Sequence, residues 1–188
     1  MLPNYVPMPR TYRILDFLGS QMEKWGILLT RMDAETLHRL AERETGLSDF
    51  GDPYYQEGLD VLLQSIEKDA NLHFFGRFST RMVLINYMSQ RLLFIEAQKR
   101  SPDVFRSKLN APFIITGIPR SGTTILHRMM AVDPRNSGLP LWRLLRPFPP
   151  VGKKDNRQSI AQWELKFRRP IFPEMDSKHV IREDREEE

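Results

Sequence analysis

Residues Gly117-Ile118-Pro119-Arg120-Ser121-Gly122-Thr123-Thr124 place one cation, three hydroxyls and two glycines within eight positions. That set suits a compact anion. An apolar, β-branched stretch, Phe113-Ile114-Ile115-Thr116, runs into it, and an amphipathic stretch, Ile125-Leu126-His127-Arg128-Met129-Met130, follows. The order predicts a buried strand, a tight loop and the start of a helix. The first turn of a helix carries N–H groups without intrahelical partners, and these can bind an anion. Glycine at 117 and 122 lets the main chain come close to it with no Cβ in the way. The motif reads as a phosphate-binding loop.

The spacing Gly117-x-x-x-x-Gly122 has the frame of GxxxxGK[ST], but Thr123 stands where the lysine belongs. The cation sits inside the loop instead, at Arg120. No Asp or Glu ends an obvious second strand to hold magnesium, so charge developing on a transferred γ-phosphoryl group would go unneutralised. This disfavours an ordinary nucleoside triphosphatase. A kinase-like phosphotransferase remains one alternative, and a non-catalytic helical module that binds a partner through a long helix is another.

Several elements must position this loop. Tyr12, Leu15, Leu18, Met22 and Trp25 share one face of a helix over 10–29, with Gly19 a weak point in it. Asp33 is suited to cap a second helix carrying Leu37, Leu40 and Ala41, with Gly46 at its C′ position. Asp49 to Pro53 form a turn by residue chemistry. Leu59, Leu62, Leu63 and Ile66 mark the face of a third helix. The longest helix runs from about Leu72 to Lys99, with Phe78, Met82, Ile85, Leu92 and Ile95 on one side, and Ser101-Pro102 stops it. After the loop helix, closed by Asp133-Pro134, residues 136–141 offer a second short strand. A last helix covers Arg157–Arg168 before Pro170. The chain thus divides into a helical region, 1–110, and the beginning of an α/β domain, 111–188. A parallel sheet needs more strands than these to be buried, which suggests a chain that stops before its domain is complete.

Composition narrows the class. Apolar residues make up 40 % of the 188, enough for a core, and the net charge of +4 is modest. That balance suits a small anionic ligand better than a nucleic-acid surface. With no cysteine, disulfides, thiolate metal sites and thiol nucleophiles are excluded. No apolar run approaches the length of a membrane span and no secretory signal opens the chain, so a cytoplasmic location is expected.

With these residues in view, the chain resembles the sulfotransferases that use 3′-phosphoadenosine 5′-phosphosulfate (PAPS). Within them it is similar to the bacterial-type branch with a helical N-terminal region. The likeness rests on Pro119-Arg120-Ser121-Gly122-Thr123-Thr124 after an apolar strand, on Thr45 to Asp52, and on Glu57-Gly58-Leu59. It extends to Leu126-His127-Arg128 with Asp133-Pro134, Leu141-Trp142 ahead of Pro147–Pro150, and His179 with Glu187-Glu188. It implies a P-loop-containing, three-layer parallel α/β sheet, incomplete here. It also implies a sulfuryl transfer from PAPS to a hydroxyl of a small-molecule, carbohydrate or lipid acceptor, with no metal.

Carried over residue by residue, the resemblance assigns Pro119, Arg120, Ser121, Gly122, Thr123 and Thr124 to the 5′-phosphosulfate. Arg120 then acts in catalysis by meeting charge on the leaving phosphate, and His179 is the candidate base. His127 is expected to pack or cap on the loop helix, while His38 and His73 have no supporting motif. Relatives usually carry an acidic residue after the Trp142 position, whereas this chain has Arg143. Three readings stay open: His179 works unaided, Glu164 or another carboxylate substitutes, or activity is impaired. The Arg and Ser that hold the 3′-phosphate in the family would fall beyond Glu188, so weak or absent turnover is expected of the chain alone.

Overall fold

The computed structural model describes residues 8–27, 30–108, 113–118 and 121–171. Its helices run in the order α1 Arg10–Lys24, α2 Ala34–Thr45, α3 Tyr55–Asp69, α4 Phe74–Arg100, α5 Pro102–Arg106, α6 Thr123–Ala131, α7 Leu141–Leu145 and α8 Arg157–Arg168. The core gathers Met32, Leu37 and Ala41 with Leu59 and Leu63 of α3 and Leu84, Met88 and Leu92 of α4.

Local chemistry sets the helix ends. Asp33, in extended conformation, accepts hydrogen bonds from the Thr36 amide and the Thr36 hydroxyl, both at 2.9 Å, and so opens α2. Gly46, at φ 75°, closes it with its amide bonded to the Glu42 carbonyl at 2.7 Å. In α1 the expected helix over 10–29 ends sooner, because Gly26 adopts φ 84° and turns the chain away. Asp16 of α1 caps α4 from outside that helix. Its Oδ1 accepts from the Phe75 amide and from His73 Nδ1, each at 2.8 Å. Past the turn at 49–53, Arg91 of α4 donates to the main-chain carbonyls of Phe50 (2.8 Å) and Asp52 (2.7 Å). Its guanidinium lies over the Tyr55 ring at 4.0 Å.

The long helix departs from the one-sided pattern expected of it. Phe75, Leu84, Met88, Leu92 and Leu93 are its buried apolar residues, because α1, α2 and α5 all pack against it, α1 at Phe74 and Phe75 and α5 through Phe105 on Phe94. On α3, Leu59 and Leu63 are buried as the spacing predicts, while Leu62 turns outward.

The expected α/β, three-layer parallel sheet is not formed: the described residues contain no strand. Residues 113–117 carry no ladder, and Phe113, Ile114 and Ile118 are exposed. A β-strand is defined by its pairing, and β-branched residues alone cannot supply a neighbour. The second expected strand, at 136–141, is also absent. There the Asn136 side chain bonds to the Met130 carbonyl at 3.0 Å and its amide to the Asp133 carbonyl at 2.9 Å. Those bonds satisfy the end of α6 and leave Pro140 to open α7. No helix among the described residues is long and apolar enough to cross a membrane.

Asp33→Ala should lower stability by about 1 kcal/mol, the usual cost of losing an N-cap, measured by urea unfolding. Burial pushes the Asp33 carboxyl up, but hydrogen bonds from Thr36 and Arg31 outweigh it and bring the pKa from 3.8 to about 2. A lowered folded-state value means stability that is present above 3.8 and lost as the pH falls toward about 2. Asp33→Asn, which can still cap and does not titrate there, should flatten that part of an acid-unfolding curve.

Candidate functional site

The loop is built from its main chain. The Ser121 amide donates to the Ile118 carbonyl at 3.1 Å and closes a tight turn. Gly122 follows at φ 90°, ψ 14°, a left-handed conformation that favours glycine, and opens α6. The first bond of the helix runs from the Leu126 amide to the Gly122 carbonyl at 3.1 Å. Among the described residues, the N-cap Gly122 makes no side-chain cap at this end. Helix geometry therefore leaves the first-turn amides, from Thr123 to Ile125, facing outward with the positive end of the helix dipole.

Gly117 lies against the same turn. A Cβ there would stand 2.7 Å from the Ser121 hydroxyl oxygen and 3.0 Å from Thr123 Cγ2. The two hydroxyl residues thus fold over a glycine where a side chain would collide with them. Ser121, Gly122 and Thr124 are exposed and Thr123 is half-buried, so the loop is open to solvent. Of the expected site residues, Ser121, Gly122, Thr123 and Thr124 are brought together in this turn. Pro119, Arg120 and His179 lie outside the described residues. His127 sits on α6 and packs toward Gly138, its Cε1 3.5 Å from where a Cβ on that glycine would be.

Beyond α6, the Asp133 carboxylate accepts from Arg135 at Nε (3.0 Å) and Nη2 (2.6 Å). These side-chain bonds, then the Arg135 amide, hold its pKa below the usual carboxylate range. Arg143 is exposed and lies 5.1 Å from the Trp142 ring, which Arg157 approaches at the same 5.1 Å. Glu164 is not a free carboxylate: it pairs with Arg146 Nη2 at 2.6 Å, both side chains largely buried.

This pair belongs to a polar seam absent from the sequence reading. Arg146 Nη1 lies 3.6 Å from Glu44 of α2, whose other oxygen accepts from Ser89 of α4 at 2.9 Å. Asn86 of α4 donates to the Leu145 carbonyl at 3.0 Å, and Gln90 accepts from the Phe148 amide at 3.0 Å. The seam fixes the segment carrying Trp142 and Arg143 to the helical body. Its only sequence signal is an arginine within an otherwise apolar Leu144 to Phe148 run. No group of histidine, aspartate or glutamate side chains suited to a metal ion occurs among the described residues.

Residues 112–188 match the model of a sulfotransferase family. The structure is also similar to the crystal structure of a sulfotransferase from Mycobacterium tuberculosis, with a TM-score of 0.58 and 28 % sequence identity. That likeness covers 79 % of this chain and 40 % of the mycobacterial one, so the chain spans less than half the length of this relative. No curated protein matches the chain. The family match over the loop and its downstream residues, together with the structural likeness, supports assignment of the chain to the sulfotransferase family.

Proposed function

We propose that the turn at 117–124 holds the 5′-phosphosulfate of PAPS, and that the chain contributes this donor site to sulfuryl transfer onto a hydroxyl acceptor. The observation that carries the reading is the uncapped start of α6 behind a left-handed Gly122, with Ser121 and Thr123 folded over Gly117. Outward amides and hydroxyls at a helix start suit an anion, and the family match spans these residues. In this reading residues 1–110 form the supporting helical region and 111–188 carry the donor loop.

The acceptor oxygen would bond to sulfur as the bond from sulfur to the bridging oxygen breaks. The electron pair stays on that oxygen, now part of the departing 5′-phosphate. First-turn amides and the Arg120 guanidinium meet this charge, and His179 takes the acceptor's proton. Arg143 offers no carboxylate beside Trp142 and Glu164 is held by Arg146, so the histidine is assigned the base role. A small molecule, a carbohydrate or a lipid could supply the hydroxyl.

Calorimetric titration with adenosine 5′-phosphosulfate tests the donor site directly. Binding should persist in the presence of a magnesium chelator and weaken at least about tenfold in Arg120→Ala, the loss expected for a charge-assisted contact. Gly122→Val should weaken it further, by straining the turn. Absence of binding, or equal affinity in both folded variants, would overturn the assignment. A requirement for magnesium and a nucleoside triphosphate would point to phosphoryl transfer instead.

A further inference from the structure

The first helix presents a surface with no partner among the described residues. α1 packs on α4 through Tyr12, whose ring lies 5.7 Å from Phe75, and through Gly19, which sits against the Phe74 ring. Both acids of α1 also turn inward: Asp16 bonds the start of α4, and Glu23 accepts from the Thr30 hydroxyl and lies 4.0 Å from Arg77. The outward side carries Ile14, Leu15, Phe17, Leu18 and Trp25, each 50–76 % exposed. Ile14, Leu18 and Trp25 recur at helical spacing along it. Arg10, Arg13 and Lys24 line one flank, exposed and without a carboxylate partner among the described residues.

We propose that this face of α1 docks on an anionic lipid surface. An apolar helix face flanked by cations, with an indole at one end, matches the requirements of a helix lying in the headgroup layer. Turning Asp16 and Glu23 into the protein leaves the presented surface apolar and positive, complementary to acidic headgroups. A second copy of the chain in an antiparallel twofold contact through this face would set its own three cations near their counterparts. The inference is independent of the donor loop.

Co-sedimentation of the full chain with vesicles of phosphatidylglycerol and phosphatidylcholine, against phosphatidylcholine alone, tests it. Binding should require phosphatidylglycerol and fall with added salt. It should weaken at least about tenfold in Phe17→Ser with Leu18→Ser and in Arg10→Gln with Arg13→Gln, each cation near such a surface contributing measurably. Ile125→Ser with Met129→Ser, on the exposed side of α6, should bind as the parent does. Far-ultraviolet circular dichroism establishes that each variant is folded. No binding to the acidic vesicles, unchanged binding in folded α1 variants, or loss only in the α6 variant would overturn the proposal. So would a lipid-free dimer that the Phe17 and Leu18 substitutions abolish.

Discussion

Arg146→Ala should lower the free energy of unfolding by about 3–5 kcal/mol, the cost of stripping one partner from a buried ion pair. Its side chain is 9 % exposed and that of Glu164 13 %, so the remaining charge has little water to turn to. Glu44, at 44 % exposure, retains solvent and adds less to the loss. Urea unfolding followed by circular dichroism measures the effect. The double substitution Arg146→Met with Glu164→Leu should recover most of it, since an apolar pair of similar volume leaves no orphan charge. A single-variant loss under 1 kcal/mol would show the seam to be far wetter than its burial indicates.

Leu92→Ala should cost about 2–5 kcal/mol. The side chain is fully buried in the C-terminal half of α4, in the cluster that also holds Leu37, Ala41 and Met88. Removing three carbons forfeits their transfer from water and leaves a cavity that neighbours on α2 and α3 can fill only in part. Leu62→Ala on α3, whose side chain faces solvent, should change stability by no more than about 0.5 kcal/mol. The contrast in urea midpoints between two leucine truncations separates burial from helix propensity.

The parts legible in the sequence are those governed by neighbours along the chain. Asp33 and Gly46 bracket α2 because a carboxylate three residues from an amide and a left-handed glycine act locally. The α8 bounds, Arg157–Arg168, follow equally from spacing and a downstream proline. The expected strands failed on a different kind of information. Pairing depends on residues distant in sequence, and the run Phe113 to Thr116 carries the right side chains with no neighbour to ladder against among the described residues. The Arg146 seam was illegible for the same reason: Glu44, Ser89 and Glu164 meet it only through packing of separate helices. Within the loop, glycine and hydroxyl chemistry announced the turn. The approach of Gly117 to Ser121 and Thr123 is a tertiary detail that spacing cannot specify.

Arg91 has a bearing on how freely the 49–53 bend can vary. Its two bonds reach the carbonyls of residues 50 and 52 and read the path of the backbone, whatever side chains project from it. Exchange at the outward positions of this bend can therefore proceed while the anchor stays engaged. Replacing the arginine itself, even by lysine, forfeits the two-pronged grip and the planar stacking on Tyr55 together.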